Sequence, residues 1–237
     1  MKRILIASLS LAFALCLTLA QPASTQDQKQ AVQEKVAAFK QSTAENQKAL
    51  RQYGWTESTQ LSLKGEVKST KVEACRYGPD GKVQKTPLSA PPEKKEMRGL
   101  KKRVVEKKTD EMKDYMERVV SLIGRYVPPP PDLIKADVAG GNTSVSPQGP
   151  GVIQLGVKNF VKSGDVVTFT LDTAAKAIRQ VKVDTYLDDA DKDKVALQVE
   201  FQTLPDGTNY AANKNLNVAA KKIVVNITAS NYQKLAN

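Results

Sequence analysis

Residues 4–19 form an almost unbroken apolar run, interrupted only by Ser8, Ser10 and Thr18. Farther along, apolar positions thin out. Val32, Val36 and Phe39 recur at helical spacing among Gln, Lys, Glu and Ala, which predicts an amphipathic N-terminal helix with a narrow buried stripe within residues 21–52. Tyr53-Gly54-Trp55 ends it, and the period changes. Leu61, Leu63, Gly65 and Val67 alternate with Ser62, Lys64, Glu66 and Lys68, so a single strand with one wet face is expected over 61–76. Val72 and Ala74 continue one residue out of phase, which predicts a bulge near Ser69-Thr70 and, with Val72 and Ala74 inward, sets Cys75 on the opposite, outer face. Tyr77-Gly78-Pro79-Asp80-Gly81-Lys82 is a hairpin signal, because Asp-Gly supplies the positive φ that such turns need. Residues 83–86 are the return strand.

Prolines between 86 and 92 then break regular structure. Met112, Tyr115, Met116, Val119, Val120, Ile123 and Tyr126 lie on one face of a helix, with Thr109 and Asp110 as N-cap candidates. Pro128 through Pro131 cannot continue it. Residues 136–151, rich in Gly, Ser and Pro, read as a flexible connection. From Val152 onward the period is two. Val167, Phe169 and Leu171 form one strand, Val181, Val183 and Thr185 a second, Val195 to Thr203 a third, and Ile223, Val225 and Ile227 a last. The turns between them are short and polar: Lys162-Ser163-Gly164-Asp165, residues 188–193, and Pro205-Asp206-Gly207. Such short connections exclude parallel pairing. The expectation is an α+β fold: a curved antiparallel sheet, or half-barrel, with the N-terminal helix and a second helix covering its apolar face. Residues 53–237 are read as one β-rich domain with a basic, helical and proline-rich insert at 86–151, and no fixed-period repeat is seen.

Charge and composition then limit what such a fold could do. Lys2 and Arg3 precede the apolar run and small or polar residues follow it, the pattern of a secretory signal. Thr18-Leu19-Ala20 favours cleavage after Ala20, with Ala23 as second choice; 217 of the 237 residues follow Ala20. Lipidation at Cys16 is a weaker fit, since Leu15 precedes it where a small residue is needed. An uncleaved anchor is the remaining alternative. A periplasmic or secreted protein is therefore expected, and no later segment is apolar enough to span a bilayer. Cys75 would then be the one cysteine left, so no internal disulfide can form. Histidine is absent, which removes the commonest general base and every Ser-His or Cys-His nucleophile. No enzyme is expected, and neither a cofactor nor a metal.

The formal charge is +11. Residues 93–108 concentrate it: Lys94, Lys95, Arg98, Lys101, Lys102, Arg103, Lys107 and Lys108 against three glutamates. In an exported protein such a stretch suits an anionic membrane surface or envelope polymer, not nucleic acid. Its plainer reading is a solvated connector. Asp189, Asp191 and Asp193, with Glu200 farther on, fall at calcium-loop positions, but Lys194 stands where a glycine is required, so a solvated turn is expected. A basic neighbourhood of Arg76 and Lys71 could lower the Cys75 pKa, although a lone thiol without a resolving partner is more simply a tolerated one. Asn226-Ile227-Thr228 matches a glycosylation acceptor inside a strand.

The order of elements resembles the LolA/LppX-like family of periplasmic lipoprotein carriers. The likeness rests on the 61–76 strand with its Tyr77 to Lys82 hairpin, the paired strands 178–187 and 195–204, the Leu204-Pro205-Asp206-Gly207-Thr208 turn, and the final strand. The lysine-rich insert and the prolines lie outside that pattern. The resemblance implies a half-barrel closed by helices and the binding of an acyl chain or another lipid-like ligand. The cavity lining would then be Leu61, Leu63, Val67, Met112, Tyr115, Met116, Val119, Ile123, Phe169, Leu171, Val183, Val199 and Phe201. The alternative is a filled core in a structural envelope protein with a basic surface.

Overall fold

A computed structural model describes residues 41–88, 100–127 and 143–235, with no side-chain description for 100–106. The expected signal, the first part of the N-terminal helix, Lys94, Lys95, Arg98 and Pro128 through Pro131 lie outside the described residues. Residues 41–50 are helical (α1), and α2 spans Leu100–Ile123. The strands are β1 (Tyr53–Leu63), β2 (Glu66–Tyr77), β3 (Val83–Pro87), β4 (Thr143–Gly149), β5 (Val152–Lys158), β6 (Val166–Asp172), β7 (Ala177–Tyr186), β8 (Lys194–Thr203), β9 (Asn209–Val218) and β10 (Ile223–Lys234). They form one curved, open sheet in the order β3-β2-β1-β10-β9-β8-β7-β6-β5-β4, antiparallel throughout.

Cross-strand register explains why one face is apolar. Leu61, Val225, Leu216, Leu197, Val183, Val167 and Val157 stand opposite one another in a single row from β1 to β5. Because strand side chains alternate, the residues on either side of this row point to the other face, which is polar. Among the described residues the edge strands β3 and β4 each neighbour a single strand. Pro87 and Pro147 sit in them and remove backbone donors that would otherwise invite further pairing.

In the sequence α2 falls between the two edge strands, β3 and β4. Val119 and Leu122 enter the apolar face. Val119 clusters with Val195, Val218 and Ile223, while Leu122 and Tyr126 join Leu155, Val157, Phe169, Val181, Val183 and Val199. Each fully buried valine among these contributes about 1.5–3 kcal/mol relative to exposure.

Several expectations change. The single strand over 61–76 is two strands, because Lys64 and Gly65 both take positive φ (55° and 84°) and reverse the chain. Val67 consequently pairs with Ser62 on the polar face and is exposed. The bulge lies at Lys68, one residue from its expected place. Cys75 faces inward opposite Trp55 and is buried; Val72 and Ala74 take the other face. Helix α2 begins at Leu100, so Thr109 and Asp110 are interior helical residues and not caps. Residues 143–149, expected as part of a flexible connection, form β4 on β5. β9 went unread altogether.

Candidate functional site

Helix α2 and the sheet face beneath it bring together the expected lining residues, Val67 excepted. Met112, Tyr115, Met116 and Ile123 pack with Leu61 and Leu63 around Val119. Phe169, Val183 and Val199 are buried in the neighbouring cluster, with Leu171 and Phe201 at its margin. Val119 in one cluster and Val183 in the other have no exposed surface, so both clusters are closely packed at these positions.

Space opens on the flank of α2. Lys113, Met116, Glu117, Val120 and Ser121, all on α2, border a shallow, wide-open cleft. Val120, which belongs to the apolar stripe by sequence, is 61% exposed there. On the packed side, the Tyr115 hydroxyl is buried without a hydrogen-bond partner among the described residues. Burial pushes its pKa up, and the nearby Asp193 and Asp188 add to this. The Lys221 ammonium lies 4.9 Å from the ring centroid.

Farther along, α2 ends on a buried polar clip. Gly124 to Val127 turn out of the helix, and Tyr126 reaches Asp165 and Thr185. The Asp165 carboxylate also accepts backbone N–H bonds from Phe160 (2.6 Å), Val161 (2.9 Å) and Lys162 (2.8 Å). Desolvation, then the hydrogen bond to Asp165, raises the Tyr126 pKa. Tyr126 was legible as part of the helical stripe, but nothing in the polar turn at 162–165 announced that its aspartate is buried.

The expected basic surface is described in part. Lys101, Lys102 and Arg103 belong to α2; Lys107 and Lys108 are exposed, and Lys107 lies 4.0 Å from Glu111, one turn on.

A charged group unread in the sequence sits on the apolar face. Glu57, 3% exposed, is paired by Lys85 and by Lys214 at 3.2 Å, with Glu73 3.8 Å from Lys85. Burial pushes the Glu57 pKa up, but the Lys85 hydrogen bond and the charges of Lys214 and Lys85 outweigh it, leaving the carboxyl below its usual range. The signal was present: Tyr53, Trp55 and Glu57 fall on one face by alternation. Cys75 lies nearby in a cluster with Trp55, Tyr77, Ala229 and Tyr232, where Trp55 stacks on Tyr232 at 5.5 Å. Burial, followed by the Glu57 charge, raises the Cys75 pKa, contrary to the lowering that a basic neighbourhood would give.

Asp189 uses its carboxylate as a turn acceptor for the backbone N–H groups of Asp191 and Lys192. Among the described residues no group of three or more His, Cys, Asp or Glu side chains converges, and no helix is long and apolar enough to cross a membrane. Asn226 is in the middle of β10 on the polar face. Comparison with protein-family models, with curated proteins and with solved structures finds no match.

Proposed function

We propose that the chain is an exported, non-catalytic envelope protein that takes up an acyl chain or another lipid-like group alongside α2, as the resemblance to lipoprotein carriers implies. The cleft on α2 carries this reading. Val120 and Met116 present apolar surface in this open cleft, and the exposed Lys113 at its rim, 3.5 Å from Asp110, supplies a cation for an anionic head group. The orphan Tyr115 hydroxyl supports it. A buried hydroxyl without a partner costs about 1–3 kcal/mol, and a ligand group that reached it would recover that cost. Lys107 and Lys108, exposed toward the helix start, would meet anionic lipid.

Titration with a fatty acid whose fluorescence rises in apolar surroundings tests the reading. Saturable enhancement that Val120→Asp abolishes is expected. Enhancement absent from the wild type, or unchanged in the variant, overturns it.

A second reading has its own observation. Val119, Val157, Val167 and Val183 are wholly buried in contact with one another's clusters, which suits a solid structural core. The protein would then be an interaction module held to an anionic polymer by its basic helix. Salt-sensitive co-sedimentation with envelope fractions would favour it, and binding constant across a salt series would exclude it.

A further inference from the structure

The face of the sheet turned away from α2 has an unusual composition along its middle. Gln60 on β1, Asn226 on β10, Asn215 on β9 and Gln198 on β8 stand directly opposite one another, four primary amides in register across four strands. A parallel row two residues away runs Ser58, Thr228, Asn213, Glu200 over the same strands. Between the rows lies a groove of about 250 Å³, lined by Gln198, Glu200, Asn213, Asn215, Asn226 and Thr228. Among the described residues no helix packs over it: the α2 clusters lie wholly on the opposite face.

Asparagine is among the residues that strands disfavour, since its side chain competes for backbone hydrogen bonds and packs poorly on a pleat. Yet β9 places Asn213, Asn215 and Asn217 on one face, and β10 adds Asn226 beside them. A face that needed only to be wet would be served better by threonine and by the charged residues that make up 26% of this chain. The amides are also held in place, by one another and by the Glu200 carboxylate. Asn215 donates to Asn226 Oδ1 at 2.5 Å, Gln198 to Glu200 Oε1 at 2.8 Å, and Asn213 to Glu200 Oε2 at 3.4 Å. Each amide keeps a further N–H and carbonyl lone pairs for a partner.

We infer that this groove binds a neutral, β-linked polysaccharide strand lying across the strands of the sheet. Three features select that occupant. A primary amide offers a donor and an acceptor side by side, the complement of neighbouring sugar hydroxyls. Adjacent strands are about 4.8 Å apart, close to the rise of one residue in an extended β-linked sugar chain, so successive sugars meet successive amides. The four-amide row is itself uncharged and meets Lys182 at its β7 end, and the one carboxylate lining the groove, Glu200, is held by Gln198 and Asn213 and would repel a phosphate, carboxylate or nucleic-acid backbone, which favours a neutral polymer. The site is on the face opposite the α2 cleft and stands whether or not that cleft takes a lipid.

The test is retention of the full exported chain on insoluble cellulose and on chitin in about 0.5 M salt, where charge attraction is screened to within a few Å. The expected result is salt-resistant binding to at least one of them. The double variant Asn215→Thr, Asn226→Thr binds about tenfold more weakly, as loss of amide hydrogen bonds at the groove implies. Its thermal midpoint is unchanged or raised, since threonine is the better strand residue. No retention on either polymer, retention lost in salt, or equal retention of the folded variant overturns the inference. If the double variant does not fold, Gln60→Thr on β1 replaces it, and undiminished retention of that variant overturns the inference equally.

Discussion

Tyr126 donates its hydroxyl hydrogen to the Asp165 carboxylate at 2.6 Å, and neither side chain has exposed surface. One bond thereby ties the exit of α2 to the loop before β6. The same carboxylate gathers three backbone N–H groups of that loop, and Thr185 on β7 reaches the phenol oxygen at 2.8 Å. Tyr126→Phe removes one donor from a buried anion and leaves the ring in place. A loss of about 1.5–3 kcal/mol is expected, read as a lower urea midpoint with an unchanged slope.

Tyr115 gives the opposite expectation from the same substitution. Its hydroxyl is buried and has no partner among the described residues, so Tyr115→Phe deletes a group that is already unsatisfied. The urea midpoint is unchanged or higher. A drop comparable with that of Tyr126→Phe would show that the hydroxyl is satisfied and would remove one support for a ligand alongside α2.

Glu57 sets an acid limit on stability. Its folded pKa is depressed: burial opposes this, but the Lys85 hydrogen bond and the Lys214 and Lys85 charges prevail. A depressed carboxyl stabilises the fold above its unfolded value of about 4.3, and that contribution is lost as pH falls through the folded value. Between about pH 5 and pH 3 the wild-type urea midpoint should fall more steeply than that of Glu57→Gln. Parallel curves would contradict the pairing. Lys85 moves in the matching direction. Burial lowers its pKa, but the Glu57 hydrogen bond and charge raise it overall, so its share persists at neutral pH and fades only as alkaline pH passes the folded value.

The Lys64-Gly65 turn offers a gain in stability. Both residues hold positive φ, as the tight turn between β1 and β2 requires. Lysine tolerates this less well than asparagine does. Lys64→Asn should raise the thermal midpoint by an amount corresponding to about 0.5 kcal/mol, whereas Gly65→Val should lower it by at least about 1 kcal/mol. Calorimetry on the two variants checks the pair.

The same turn shows where the sequence was legible and where it was not. β6, β7, β8 and β10 could be read because Val, Phe, Leu and Ile alternate there with Thr, Lys and Gln, and the inner row needs just those residues. β9 escaped because its inner positions include Ala212 and Lys214 and its outer ones are asparagines, a mixture that favours turns by composition. β4 escaped for a different reason. An edge strand needs hydrogen bonds to one neighbour only, so Thr143–Gly149 can be polar, exposed and proline-bearing and still pair with β5. Lys64-Gly65 kept apolar residues in phase on both sides, and alternation alone cannot distinguish a straight strand from two strands folded back. In the candidate site, the α2 stripe and its sheet partners were readable from period. The Tyr126 clip, the Glu57 ion group and the amide rows were not, since each depends on which strands are neighbours.

A lipid-like group is proposed to bind alongside α2. Native mass spectrometry of the protein isolated from its own envelope tests it most directly. The prediction is a population heavier than the bare chain by the mass of a lipid, lost in Val120→Asp. A single species at the mass of the bare chain, from wild type and variant alike, would contradict it.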